Sequence, residues 1–233
     1  MVTWLKLTGF YGLAACSAVL LAVATFLVIY VAPVEEVMGL AQKIFYLHVP
    51  SAMAMYVGVA MCSVSSLVFL ISRKQAWDAA GRVGADLATA FCVIVLITGP
   101  IWAVQAWGAA WVWDPRLTGV AVLGLILASY HLVRIVGQES KAAQRLAAAL
   151  GVLAAPNGVL IHVAVQMWGG QHPTVIYERG GLDDLMRAVF EVCIVAAMVL
   201  FATLAWWRLD LALLRQRASS LEVRALLLDD NEP

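Results

Sequence analysis

Charged residues are scarce in this chain of 233 residues. Lysine and arginine contribute 15 residues, aspartate and glutamate another 15, and together they make 13% of the sequence, whereas 63% is hydrophobic. Soluble globular domains carry roughly 25% charged residues, so the composition excludes an ordinary water-soluble domain. The chain also lacks the basic excess that is typical of nucleic-acid-binding proteins. We therefore expect membrane lipid around it and no nucleic-acid partner.

Cysteine is rare as well, and its spacing excludes several kinds of site. The four cysteines are Cys16, Cys62, Cys92 and Cys193, and each stands alone within an apolar segment. No Cys-x-x-Cys pair and no Cys-x-x-Cys-His motif occurs. Disulfide frameworks, zinc sites and thioether-attached heme need such groupings. We therefore predict four inert thiols, buried among apolar side chains.

Long apolar segments dominate what is present. A bilayer core requires about 20 helical residues, and six such segments lie at about residues 9–31, 51–72, 83–104, 117–136, 146–167 and 185–207. Pro50 and Ser51 look like the start signal of the second segment. We predict an all-α integral membrane protein, a bundle of about six transmembrane helices. Residues 1–233 are expected to form a single domain, with an amphipathic cytoplasmic tail at about 208–233.

The basic residues predict an orientation in the membrane. One side carries Lys6, Arg73, Lys74, Arg82, Arg134, Lys141, Arg145, Arg208, Arg215, Arg217 and Arg224, and the other carries only Lys43, Arg116, Arg179 and Arg187. Because cytoplasmic loops carry the excess of lysine and arginine, we expect both termini in the cytoplasm. Three loops, at about residues 32–50, 105–116 and 168–184, then face outward.

The second outward loop contains the most unusual segment, residues 107–118, which reads Trp-Gly-Ala-Ala-Trp-Val-Trp-Asp-Pro-Arg-Leu-Thr. Indole rings prefer the membrane–water interface, and three so close together predict a flat aromatic platform for a flat, partly charged ligand. Arg116 could pair with ligand carboxylates and Asp114 could orient it. A solvated charge pair that orders the turn is the alternative. The candidate binding residues of this Trp-rich segment are Trp107, Gly108, Trp111, Trp113, Asp114 and Arg116.

Two histidines flank the Trp-rich segment in the predicted topology. His48 lies at the outer mouth of the second helix, and His172 lies on the third outward loop. Two neutral imidazoles can hold an iron porphyrin from opposite faces, and the alternative for each is an interfacial polar group. His162 is a competing ligand, although a buried, hydrogen-bonded histidine is the better interpretation of it. His131, near the inner end of the fourth helix, is assigned a structural role.

These motifs resemble those of a known family. The Trp-rich segment looks like the tryptophan-rich motif of heme-handling membrane proteins. The sequence Tyr-Leu-His-Val-Pro at 46–50 and the spacing from Trp168 to His172 narrow the resemblance to the cytochrome c maturation protein C (heme exporter protein C) family. It covers nearly the whole chain. Two departures lie in the Trp-rich segment: Ala110, where the family usually has a second tryptophan, and Pro115, which lies between Asp114 and Arg116. Around His172 the usual order Leu-His-Gln is replaced by Gln-His-Pro at 171–173.

The resemblance implies a function and partners. Heme b would be held non-covalently and transiently at the periplasmic face of the bacterial inner membrane, with His48 and His172 as axial iron ligands. It would be passed to a periplasmic heme chaperone during c-type cytochrome biogenesis. ATP-binding cassette transporter subunits and a small single-helix membrane subunit would be partners. The protein would therefore not be an enzyme.

Two other functions stay open at this point. A heme lyase would join heme vinyl groups to cytochrome cysteines, and the short chain without large outer domains argues against it. A membrane transporter would move heme across the bilayer, and the absence of a polar row at the midplane of the predicted helices disfavours it.

Overall fold

The computed structural model describes residues 2–170 and 181–229. Within those ranges the chain forms six long α-helices: α1 (Val2–Phe26), α2 (Phe45–Ser72), α3 (Gln75–Trp107), α4 (Pro115–Val136), α5 (Lys141–Trp168) and α6 (Asp184–Asp229). Each contains a stretch long and apolar enough to cross a bilayer. The prediction of an all-α membrane protein with about six transmembrane helices is therefore confirmed.

The helices pack largely as pairs. α2 packs most extensively on α3, α4 packs on α5, and α1 packs mainly against α6. Small residues bring α2 and α3 close together, since a Cβ added at Gly84 would lie only 2.5 Å from the backbone nitrogen of Cys62. Lipid tails are as apolar as leucine side chains, so close van der Waals packing of this kind is what holds membrane helices together.

The two ends of the bundle differ in character. The Trp-rich segment joins α3 to α4 at one end, which we call the Trp-rich end. At the opposite end Arg134 of α4, only 3% exposed, donates to both carboxylate oxygens of Asp78 of α3 at 2.7 and 2.8 Å. Glu139 accepts from the same guanidinium at 2.6 Å. This paired, hydrogen-bonded arrangement is how a buried charge is tolerated, and it ties the beginning of α3 to the end of α4.

Pro50 does not begin the second helix, so that prediction was wrong. A 3₁₀ turn over Leu40–Ile44 leads directly into α2 at Phe45, and Pro50 lies inside the helix. Proline in the second turn removes only the hydrogen bond to the carbonyl four residues earlier, and membrane helices tolerate that loss. In consequence His48 sits on a helix rather than on a loop.

The C-terminal tail and the cysteines bear on two other expectations. α6 continues unbroken to Asp229, so the described part of the tail continues the last helix, as a plain amphipathic helix end would. All four cysteines are free thiols, and three are buried, but Cys16 is exposed on α1. An exposed position on this outer helix is compatible with lipid contact, because α1 packs on little but α6.

Candidate functional site

A cavity of about 290 Å³ lies among five helices at the Trp-rich end. Its walls are mostly apolar, as ligand pockets usually are, with a few polar groups that converge on it. On α3 the lining residues Val95, Gly99 and Trp102 follow the spacing i, i+4, i+7, so one helix face points inward. The chemically distinctive lining residues are His48, Tyr56, Trp102, Trp107, Trp111, Arg116 and His162.

His48 lies in the first turn of α2 and lines the cavity. Its ring atom Nδ1 is 2.8 Å from the hydroxyl oxygen of Thr98 on α3. The ring also lies over Gly99, where an added Cβ would be 3.2 Å from Cε1 of the imidazole. Two adjacent residues of α3 thus hold the ring of His48 from one side.

The tryptophans do not form a flat platform. Trp107 ends α3, and Gly108 caps the helix with φ at 79° while its N–H donates to the Val104 carbonyl at 3.0 Å. That left-handed backbone favours glycine. Trp111 lines the cavity, whereas Trp113 is 83% exposed and does not contribute to the lining. The two rings are 5.9 Å apart at 83°, an edge-to-face contact that aromatic quadrupoles favour over flat stacking.

Asp114 is buried and has a definite structural role. It is 5% exposed, and its Oδ1 accepts a hydrogen bond from the backbone N–H of Arg116 at 2.8 Å, which makes it the N-cap of α4. Its carboxylate packs closely on Gly170, which leaves no room for a Cβ there. Arg116 lines the cavity and reaches the carbonyl of His162 at 3.5 Å. Asp114 therefore orients the start of α4, from which Arg116 extends.

The other histidines fall in different places. His162 is exposed and lines the cavity, with its ring edge-to-face to Tyr56 at 6.5 Å. The expectation of a buried histidine there was wrong, because the cavity leaves this face of α5 open. His131 lies toward the opposite end, with Nε2 3.0 Å from the hydroxyl of Thr89. His172 falls in residues 171–180, outside the described residues.

Sequence reasoning missed three contributors to the site. Trp102 packs edge-to-face on Trp107 at 5.2 Å and lines the cavity beside it. Thr98 contacts His48, and Tyr56 contacts His162. The helical spacing of Trp102 from Val95 would have placed it on the inward face, but nothing local marks Thr98 or Tyr56, which meet their partners across helix interfaces.

Comparison with known proteins identifies the family. The family model described as "Heme exporter protein C" matches residues 3–224. The chain belongs to the heme exporter protein C family. A heme exporter protein C of Bradyrhizobium diazoefficiens is 35% identical over 216 residues, which cover 91% of this chain and 81% of the relative. That of Escherichia coli K12 is 29% identical over 206 residues, 88% and 84% of the two chains.

Membership in the heme exporter protein C family confirms the resemblance that the Trp-rich segment and residues 46–50 indicated. A related mitochondrial protein of Marchantia polymorpha, 29% identical over 186 residues covering 79% of this chain and 78% of the relative, is named as ccmC-like in cytochrome c biosynthesis. The heme exporter protein C family comprises heme-handling membrane components rather than known enzymes.

Proposed function

We propose that this protein binds heme b non-covalently at the periplasmic face of the bacterial inner membrane and delivers it to a periplasmic heme chaperone. In this proposal the imidazoles of His48 and His172 would ligate the heme iron. The observation that carries it is the convergence of His48, Trp107, Trp111 and Arg116 on one apolar cavity. These are the chemical groups that a flat macrocycle with a metal centre and carboxylate side chains requires.

The polar groups of the cavity fit such a ligand. The indole Nε1 of Trp107 is buried, and it has no hydrogen-bond partner within the described part of the chain. A buried N–H without an acceptor costs about 1–3 kcal/mol, so an acceptor supplied by a ligand is favourable here. The guanidinium of Arg116 offers a planar fork that suits carboxylates such as the heme propionates. Heme when bound supplies the iron that neutral imidazoles ligate.

The apolar walls account for affinity without a covalent bond. Burial of apolar surface contributes roughly 25 cal/mol per Å², and indole rings provide large area for it. Trp107 and Trp111 bring this area from the end of α3 and from the connection to α4. A site assembled partly from connecting segments can open more easily than one built wholly within helices, which agrees with transient binding.

The remaining residues of the Trp-rich segment have supporting parts in this proposal. Gly108 turns the chain after Trp107, and Asp114 holds the start of α4 so that Arg116 faces the cavity. Trp113 projects outward, so it would contact only a ligand that extends beyond the cavity. His172 supplies the second imidazole from the third outward loop.

The proposed orientation follows from the distribution of basic residues. Arg73, Lys74 and Arg134 belong to the end opposite the Trp-rich end, and the positive-inside rule places that end in the cytoplasm. The proposed partners are ATP-binding cassette subunits and a small single-helix subunit, with the chaperone on the periplasmic side. Reporter fusions after residue 110 and after residue 229 test this: a periplasmic reporter should be active only in the first.

A hemin titration of the purified protein in detergent tests heme binding. The wild type should give a low-spin, six-coordinate Soret spectrum, and His48→Ala and His172→Ala should each weaken it. His131→Gln is the matched control, because His131 lies toward the opposite end of the bundle. Unchanged spectra in both ligand variants would reject the assignment, and the absence of any Soret shift in the wild type would reject heme binding.

A further inference from the structure

We propose that the Thr98 hydroxyl is a positioning group that fixes the tautomer of His48, with the ring proton on Nδ1 and the lone pair on Nε2. The observation is a two-step hydrogen-bond chain that runs from His48 on α2 through Thr98 to the backbone of α3. The inference rests on the proposed function, because it assigns which nitrogen of His48 ligates iron. Thr98 itself does not touch the ligand in this proposal.

The direction of these two hydrogen bonds follows from the last acceptor, the carbonyl oxygen of Ile94. The Thr98 hydroxyl oxygen lies 2.7 Å from the carbonyl oxygen of Ile94, one helical turn earlier. A carbonyl oxygen accepts hydrogen bonds and never donates them, so the single proton of the Thr98 hydroxyl must point at Ile94. Two oxygens this close without a proton between them would repel each other.

The hydroxyl then has only lone pairs left for His48. Its oxygen is 2.8 Å from Nδ1 of the imidazole, a distance of a good hydrogen bond. Because the hydroxyl proton is committed to Ile94, the proton in this second bond belongs to Nδ1 of His48. A neutral imidazole carries one N–H, so the unprotonated nitrogen, the one that can ligate a metal, is Nε2.

The neighbouring glycine restricts the ring further. A Cβ at Gly99 would come within 3.2 Å of Cε1 of His48, so the imidazole lies almost against the backbone of α3. A Cβ at position 99 would require the ring to shift by a few tenths of an ångström relative to Thr98. The Thr98-Gly99 pair therefore sets both the protonation and the position of the His48 ring.

Such outer contacts have measurable consequences for a metal ligand. A hydrogen bond donated by the ring nitrogen that does not bind the metal fixes the orientation of the ring and raises the basicity of the ligating nitrogen. Loss of this hydrogen bond typically lowers metal affinity 10–100-fold. A more basic imidazole also favours ferric over ferrous iron. Removing the Thr98 hydroxyl should therefore weaken hemin binding by about 10-fold or more and move the heme midpoint potential to a more positive value.

The first experiment needs no ligand. The ring nitrogens of ¹⁵N-histidine-labelled, heme-free protein are observed by NMR, with His48→Gln used to assign the His48 signals. The proposal expects the proton on Nδ1 in the wild type and a loss of that preference in Thr98→Val. A wild-type spectrum with the proton on Nε2, or a Thr98→Val spectrum identical to the wild type, overturns it. This result is independent of whether the protein binds heme.

The second experiment uses hemin titration and redox potentiometry of four proteins. Thr98→Val should lose affinity and shift the midpoint potential, and Thr98→Ser, which keeps the hydroxyl, should restore both. The matched control is Thr203→Val, since the buried Thr203 also donates to a helix carbonyl at 2.7 Å and does not line the cavity. Equal changes in Thr98→Val and Thr203→Val, or no rescue by serine, would contradict a role for the hydroxyl.

Discussion

Replacement of Gly84 by alanine tests a close contact between the backbones of α2 and α3. An added Cβ would lie 2.5 Å from the backbone nitrogen of Cys62, 2.9 Å from its Cα and 3.0 Å from the Gly58 carbonyl oxygen. All three atoms belong to the backbone of α2, so no side chain can rotate away. Ordinary contacts to a Cβ begin near 3.4 Å, and α2 and α3 would have to separate locally by about 0.9 Å.

The cost should be at the upper end of the range for overpacking. Extra methylenes in a packed core typically cost about 1–3 kcal/mol, and a backbone obstacle favours the larger value. For a chain of this size 1 kcal/mol corresponds to roughly 2–4 °C in Tm. We therefore expect Gly84→Ala to lower the Tm by roughly 6–12 °C.

Thermal unfolding of the detergent-purified variant, followed by circular dichroism, measures this shift. Gly12→Ala is the matched control, because Gly12 also lies within a helix and a Cβ there meets nothing within 4 Å. Alanine is a better helix former by about 1 kcal/mol, so the control should keep or raise the Tm. If both variants unfold at the temperature of the wild type, α2 and α3 are not in the close contact described.

Three further outcomes are expected from unfolding and exchange measurements. Asp78→Ala removes the main carboxylate partner of the buried Arg134 guanidinium and should lower the free energy of unfolding by about 3 kcal/mol. The double variant Asp78→Leu with Arg134→Met should be more stable than Asp78→Ala. The reverse order of stability would contradict the pairing of Asp78 with Arg134. Asp114→Ala should lose about 1 kcal/mol of capping free energy, and Asp114→Asn should lose less; equal losses would argue for charge rather than capping. Gly108→Ala forces alanine into a left-handed backbone at a cost of about 1–2 kcal/mol, and hydrogen exchange at residues 108–114 should speed up; unchanged exchange would refute this strain.

Much of the fold was readable from the sequence because a bilayer imposes a simple rule on it. Six apolar stretches of sufficient length predict six helices, and the Trp-rich segment was correctly placed between the third and the fourth. Helix ends were harder to predict. Pro50 resembles a start signal locally, but α2 begins five residues earlier, at Phe45, since a membrane helix can absorb one missing hydrogen bond.

The candidate site was only partly predictable. His48, Trp107, Trp111 and Arg116 were selected by residue type and position, and the structure places them around one cavity. The flat arrangement expected for the tryptophans was wrong, because Trp113 turns outward. Residue type says which rings are present, whereas their mutual angle depends on the backbone path through the connection.

The amino-acid sequence by itself determined the membrane class, the number of helices and the chemical character of the segment between α3 and α4. These properties depend on residue type and on the hydropathy of residues that are neighbours in the sequence. Only the tertiary structure decided that Thr98 meets His48, that His162 faces the cavity and that Gly84 lies against Cys62. Those contacts depend on how each helix is rotated and how closely it packs on the next, and packing across the bundle is a property of the whole chain.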